Sequence, residues 1–477
     1  MPERWLVLEA RFHTGMYRGL EWPPSPFRLL QAIVAGNRSI EAPGLAWLEQ
    51  QAAPDIFAPA EVPESRYTIY VPNNTDRRKR DGQSTAREIN ERRVSGPVRY
   101  VYPLKSDADL AEATRLIGTA CQLHTLGSGQ DQASLAGSVE GVTPVCSKTE
   151  IHYAASHASR VMPLRSDIDV QLRVPVPGSL AALEARFQAS QTRLSKDKGW
   201  LSPVLAPAVH EVMAYSPAGQ AARVAMLPLH LRKPDQGQSF RPFEARNAVV
   251  VAGLLRGAVM RRTESSHLAD FAAGYGPESE PDHRLSWVPL PSLGHAHTDG
   301  LIRRALLMAP IECLPQLAEL AGILGQDALQ MTDEDSGECV AQAMLADPDD
   351  GVFNAYRRES TDWTSITPVI LPGDHADSPR LVRNLIFKAL RNAGIDTGLL
   401  ADFSTSRVPY LPQSHHVGDY RLKAWKAARL IPLHVRLKFH RPLRGPLLLG
   451  RGRHFGLGVF YVEVNRDGRL HQIFDTH

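Results

Sequence analysis

The feature that most restricts how this chain can fold is the order of its apolar patterns. Arg4–His13 alternates around Trp5, Val7 and Leu8, which reads as a strand. Ser25 then caps a helix, with Pro26 at its first position and Phe27, Leu30, Ile33 and Val34 on its apolar face. Arg66–Val71 and Val98–Leu104 read as strands, Asp107–His124 as a helix, and Ile151–Tyr153 as another strand. Strand, helix, strand, strand, helix, strand is the ferredoxin-like order. A third amphipathic helix is predicted over Ser179–Ser195, followed by a linker at Lys196–Pro207.

The second half echoes the first. Arg223–Leu231 reads as a strand and Phe243–Arg262 as a helix. Leu285–Leu290 and Leu301–Ala309 follow as strands and Leu314–Leu329 as a helix. A further unit begins at Thr364–Leu371, with a helix at Ser378–Ala393 and strands at Leu433–Phe439, Pro446–Leu449 and Val459–Val464. The expectation is an α+β chain of tandem ferredoxin-like (RRM-like) domains, one spanning residues 1–205 and a second part spanning 206–477 that holds two such units. Residues 73–93 and 127–141 interrupt the first half as polar or small-residue loops. The first of these carries Arg77, Arg78, Lys79 and Arg80 in a row.

A net charge of +3 says little about partners, but its distribution says more. From Arg421 to His454 there are ten Lys or Arg and no Asp or Glu, which can mark a polyanion-binding face or a solvated one. From Gly325 to Gly351 there are eight Asp or Glu and no Lys or Arg, read as a solvated loop. Cys121, Cys146, Cys313 and Cys339 form no C-x-x-C pair and read as reduced thiols of a cytoplasmic protein. The start of the chain lacks signal-peptide features, and no apolar run is long enough for a membrane span, so no membrane partner is expected.

The densest chemical signal is Gly445–Phe460, G-P-L-L-L-G-R-G-R-H-F-G-L-G-V-F. Gly450, Gly452, Gly456 and Gly458 surround Arg451, Arg453 and His454. Glycines allow close approach of backbone to a phosphate, successive N–H groups can form an anion-binding concavity, and arginines add charge and bidentate hydrogen bonds. A dinucleotide-binding fingerprint would need a helix after the glycines, whereas a strand follows here. A glycine-rich hairpin turn is the structural alternative. No cofactor is expected.

This loop resembles the terminal glycine-rich loop of CRISPR-associated RNA-binding proteins of the RAMP superfamily. Three other stretches narrow the likeness. They are F-H-T-G-M-Y-R-G-L-E-W-P-P-S-P-F-R-L-L-Q-A-I-V-A-G (Phe12–Gly36), W-V-P-L-P-S-L-G-H-A-H-T-D-G-L-I-R-R-A-L-L-M-A-P (Trp287–Pro310) and W-T-S-I-T-P-V-I-L-P-G (Trp363–Gly373). Together they resemble the fused scaffold and guide-RNA-processing subunit of type I-G (formerly I-U) CRISPR systems. The resemblance implies a first half that holds the 5′ end of guide RNA and a second half that cuts precursor repeat RNA without metal. The implied partners are precursor and mature guide RNA and the other effector-complex subunits. The alternative within the same class is a non-catalytic RNA-binding scaffold.

Metal-free cleavage needs a base for the RNA 2′-hydroxyl and an acid for the leaving 5′-oxygen, and imidazole suits both. In the related nucleases the catalytic histidine lies on or just after the first helix of the processing half. That favours His283, in D-H-R before a strand, and then His267. His297 and His295 form an H-x-H in a Gly-flanked loop, with Asp299 the only nearby third ligand for a metal, so no metal site is expected. Arg261 and Arg262 at the helix end, and Lys423 and Lys426 in the basic stretch, complete the expected RNA contacts.

Overall fold

The computed structural model describes residues 4–19, 21–60, 62–72, 84–155, 164–192, 208–234, 239–275, 283–293, 298–346, 350–371, 378–420 and 432–462. His295, His297, Lys423, Lys426 and the 196–207 stretch lie outside these. The described chain is a mixture of helices and antiparallel sheets in two compact units, one within residues 1–157 and 169–220, the other within 158–168 and 221–464. The chain passes between the units near residues 157, 168 and 220.

In the first unit the elements are β1 (Arg4–Phe12), β2 (Met16–Tyr17), α1 (Pro26–Asn37), α2 (Leu45–Glu49), β3 (Asp55–Pro59), β4 (Glu64–Pro72), β5 (Ser84–Arg93), β6 (Val98–Leu104), α3 (Asp107–Ala120), β7 (Ala133–Glu140) and β8 (Glu150–Ala155). A short strand β9 (Arg165–Ser166) belongs to the second unit. The first unit then resumes with β10 (Val170–Val174), α4 (Ser179–Thr192) and β11 (Glu211–Pro217). The sheet runs β10-β11-β8-β3-β6-β1-β7. The Ser25 hydroxyl accepts from the Arg28 N–H, the cap that Pro26 at the first position anticipates.

Two expectations for this sheet need correction. Its second strand is β3, not Arg66–Val71, which instead pairs with β5 in a hairpin off the main sheet. The strand beyond α3 that flanks β1 is β7, inside the stretch read as a small-residue loop, while β8 adds to the far side of β3. The hairpin's base is tied down by Arg18, which bridges Glu91 at 2.8 Å and the fully buried Asp131 at 3.0 Å.

The second unit contains β12 (Val224–Arg232), α5 (Ala248–Thr263), α6 (Ala269–Ala273), β13 (Ser286–Pro291), β14 (Ile302–Pro310), α7 (Leu314–Leu324), β15 (Leu329–Thr332), β16 (Cys339–Leu345) and α8 (Gly351–Tyr356). After these come β17 (Glu359–Ser365), β18 (Val369–Ile370), α9 (Pro379–Asn392), β19 (Leu400–Ser406), β20 (Pro432–Arg444) and β21 (Phe460–Val462). One sheet is ordered β13-β14-β12-β16-β15, the other β18-β20-β17-β21 with β19 also on β20. The acidic stretch is thus no simple loop. It forms the β15–β16 hairpin, with its charges gathered in the turn at Asp333–Glu338.

Alternation along β12 gives each face of its sheet a separate task. Ala225, Leu227, Leu229 and Leu231 pack against α5 and α7. Met226, with Val288, Leu306 and Met308, packs on the other side against Phe353, Tyr356, Leu448, Val459 and Tyr461. Both faces of this sheet therefore carry core. Leu227→Ala is expected to cost about 3 kcal/mol. Urea unfolding followed through Trp287 fluorescence, in the same core, should show a lower midpoint at unchanged slope.

Candidate nucleic-acid interface

The glycine-rich segment is a tight return between β20 and β21. The Leu449 N–H donates to Gly458 O at 2.9 Å, and Leu448 bridges Val459. Gly458 has φ +64°, and a Cβ there would lie 1.8 Å from Leu449 O, so only glycine fits. All four glycines of the loop are buried. The N–H groups of Arg451, Arg453, Phe455, Leu457 and Gly458 donate to the carbonyls of Ile370, Gly450, Gly452, Gly452 and Pro368. These five amides therefore do not form the anion-binding concavity expected from the sequence. The glycines serve close packing, and the loop offers its ligand side chains instead: Arg451 is exposed and Arg453 half-buried.

The loop docks on the start of β13. The Trp287 N–H donates to His454 O at 3.0 Å, Trp287 and Phe455 form a parallel bridge, and their rings stack at 5.8 Å. Ser286 Oγ lies 2.6 Å from His454 Nδ1, a length that suits a hydroxyl donating to a ring nitrogen. His454 is 6% exposed. Burial pushes its pKa down to about 2, with Arg453 and Arg284 adding repulsion of a protonated ring. A ring held neutral in this way is a poor general base at neutral pH. Two buried nitrogens in this corner, His454 Nε2 and Arg284 Nε, have no hydrogen-bond partner.

A Cβ on Gly456 would sit 3.0 Å from Ala248 O, so the loop also abuts the first turn of α5, where the helix dipole is positive. Arg284, Arg453 and this helix end make one cationic corner, with the exposed Arg451 on the same loop. His283 precedes Arg284 directly and is half-buried, which brings the first-ranked histidine to the same strand end as the loop.

The other expected residues fall elsewhere. His267 is a surface residue whose Nε2 lies 3.1 Å from Glu319 of α7. Arg261 donates to Gln330 O at 3.1 Å and Arg262 faces Asp327 at 3.7 Å. Both sit at the C-terminal end of α5, roughly 20 Å along the helix from Ala248. The Asp299 carboxylate is gripped by Arg303 through two 2.7 Å hydrogen bonds, which with the Leu301 N–H hold its pKa at about 2 despite some burial. The residues missed in the sequence are Arg284 and Ser286. They were legible as alternate positions, i and i+2, of the strand that follows His283.

With this geometry in place, relatives can be set beside it. The family described as CRISPR-associated protein, GSU0054 family, matches residues 12–86 and 130–391. The chain belongs to that family. The GSU0054 match takes in α1, the whole β13-β14-β12-β16-β15 sheet and the first strand and helix of the next, and it ends before the glycine-rich loop. No curated protein matches the chain. Among solved structures, one titled "Crystal structure of Cas6b" aligns at 11% identity and a TM-score of 0.26, covering 50% of this chain and 99% of that one. That likeness is too slight to assign any element here.

The buried imidazole predicts acid sensitivity with a defined sign. His454 has a lower pKa folded than unfolded, so its contribution is full above about pH 6.5 and is lost as pH falls toward 2. His434 contributes in the same direction, its pKa lowered by burial. His454→Gln should therefore flatten, without abolishing, the fall in urea midpoint between pH 7 and pH 4.5. Identical pH slopes for both proteins would contradict the buried, neutral ring.

Proposed function

We propose that this member of the GSU0054 family matures and holds CRISPR guide RNA, as the fused scaffold and processing subunit of a type I-G effector complex. The observation that carries the reading is the cationic corner itself. Arg284 and Arg453 both act on the His454 ring at the strand end that His283 precedes, and the exposed Arg451 lies two residues before Arg453 on the loop, in a chain whose family is CRISPR-associated. The repeated strand order supports reading the units as tandem ferredoxin-like domains. In the first sheet β1 lies between β6 and β7 and β3 flanks β6, and the same order recurs as β16-β12-β14-β13 and β21-β17-β20-β19 once the added strands β15 and β18 are set aside.

The reaction assigned to the corner is metal-independent cleavage of a repeat phosphodiester. His283 takes the proton of the 2′-hydroxyl, and the resulting alkoxide attacks the adjacent phosphorus in line. The P–O5′ bond breaks, the 5′-oxygen takes a proton from water, and His283 returns the proton it gained to solvent. The products are a 2′,3′-cyclic phosphate and a 5′-hydroxyl. Arg284 and Arg453 offset the charge that builds on the phosphorane, an electrostatic role worth most where water is excluded. Arg451, the most exposed of the three, holds a neighbouring phosphate. In the first unit the β4–β5 hairpin is the natural arm for the 5′ end. Tyr70 is 70% exposed and Tyr67 40%, and the sequence between the two strands includes Arg77, Arg78, Lys79 and Arg80.

A non-catalytic RNA-binding scaffold is the second reading, favoured by the loop's buried glycines and engaged amides. Repeat RNA incubated with the protein in EDTA separates the two. Cutting at one phosphodiester, blocked by a 2′-deoxy substitution there, supports the nuclease, and tight binding of intact RNA supports the scaffold. His283→Ala should lower the cleavage rate by at least about 100-fold and spare binding. A variant that cuts at the parental rate removes His283 from the role. Arg451→Ala with Arg453→Ala should weaken binding and lower its salt slope by about 1–2. An unchanged slope would detach the loop from RNA.

A further inference from the structure

A second cluster of cations and rings lies at the other end of the β12 sheet, and the function proposed above does not use it. His230 of β12 pairs directly with Arg304 of β14, and Arg232 lies two residues on, so all three share the face opposite the α5–α7 core. Asp350, the N-cap of α8, accepts from Arg304 at 2.5 Å and from His230 Nε2 at 2.8 Å, while Arg232 reaches His230 Nδ1 at 3.0 Å. Burial would raise the Asp350 pKa, but these two donors outweigh it and hold the carboxylate charged. The chain of bonds fixes both guanidiniums over one ring. The centroid of Phe240 is 4.0 Å from Arg232 and 4.7 Å from Arg304. Phe240 is held in place by its bridge to Arg232, with the Lys233 N–H donating to Ser239 O and the Arg241 N–H to Leu231 O at 2.9 Å on either side. Burial and the neighbouring Arg304 both press the Arg232 pKa downward, a strain that a bound anion would relieve. Arg232, Phe240 and Arg304 are all half-buried, reachable but held in place.

From this geometry we infer that Arg232, Phe240 and Arg304 form a second RNA-binding surface that takes a single-stranded segment flanking the repeat. The inference rests on the RNA-binding role proposed above. Planar cations locked against rings offer flat surfaces for unstacked bases and charge for phosphates, whereas a duplex keeps its bases stacked on one another. The surface is separate from the corner that holds His454. Arg304 pairs with Leu290 and Met308 with Ser286, four residues apart along β13, or about 13 Å.

The test compares a repeat hairpin alone with the same hairpin carrying an eight-uridine extension at its 5′ or its 3′ end, by fluorescence anisotropy. The parent should bind one extended RNA more tightly than the bare hairpin. Arg232→Ala with Phe240→Ala should lose about 10-fold on that RNA, with a salt slope smaller by about 0.7, and bind the bare hairpin as before. Equal affinity of variant and parent for both extended RNAs overturns the second surface, and so does an equal loss on the bare hairpin. A parent that binds no hairpin overturns the RNA-binding role itself. Because the double variant could misfold, the parent should also be crosslinked to a 4-thiouridine extension. Crosslinks within residues 232–246 support the surface. Crosslinks confined to the first unit, or to residues 445–460, overturn it in favour of a patch that meets an acidic protein.

Discussion

One stretch of main chain closes the edge of the β12 sheet, and the candidate site depends on it. β13 is an edge strand, and an exposed edge invites pairing with anything extended. Here it is met by the glycine-rich loop, through the Trp287–His454 backbone bond and the parallel bridge at Phe455. The approach is close because Gly450, Gly456 and Gly458 take positive φ and the four glycines bring no side chains into the contact. The same contact buries His454 and brings Arg453 and Arg284 within electrostatic reach of its ring. Packing and charge at this corner are therefore one construction: the glycines admit the loop, and the loop delivers the cations.

The two faces of this sheet divide labour. The helix face is a continuous apolar core. The opposite face is covered in its middle by the cluster around Phe353, Tyr356 and Tyr461 and carries polar groups toward both ends. At one end are Arg284 and Ser286 with the loop, at the other His230, Arg232 and Arg304 with Asp350. A strand of RNA long enough to reach both would meet charge and aromatic surface at each end.

Much of this was legible in sequence where apolar periodicity was strong. The predicted Phe243–Arg262 helix is α5 with its short lead-in, Leu285–Leu290 and Leu301–Ala309 are β13 and β14, and the helix predicted over Leu314–Leu329 is α7, which stops at Leu324 so that Leu329 opens β15. Small residues hid β7. Its A-S-L-A-G-S-V-E looks like loop, yet a Cβ on Gly137 would meet Ile117 at 2.7 Å, so α3 packing demands a small residue in that strand. Charge hid β15 and β16, because the acidic turn masked the inward alternation of Leu329, Met331, Ala341 and Ala343. In the site, the glycine pattern located the loop but misled about its amides, since no local rule says which carbonyls a loop will find across the fold. Arg261 and Arg262 follow the helix-dipole rule, and that rule placed them at the end of α5 away from the loop.

The central claim is that repeat RNA lies in the corner between the glycine-rich loop and the start of β13. A structure of the protein with a repeat RNA made inert by a 2′-deoxy sugar at the cleavage position tests it most directly. The account predicts one phosphate in contact with Arg284 and Arg453, with the His283 imidazole about 3 Å from the position of the missing hydroxyl. RNA bound with that corner vacant and His283 pointing to solvent would contradict it.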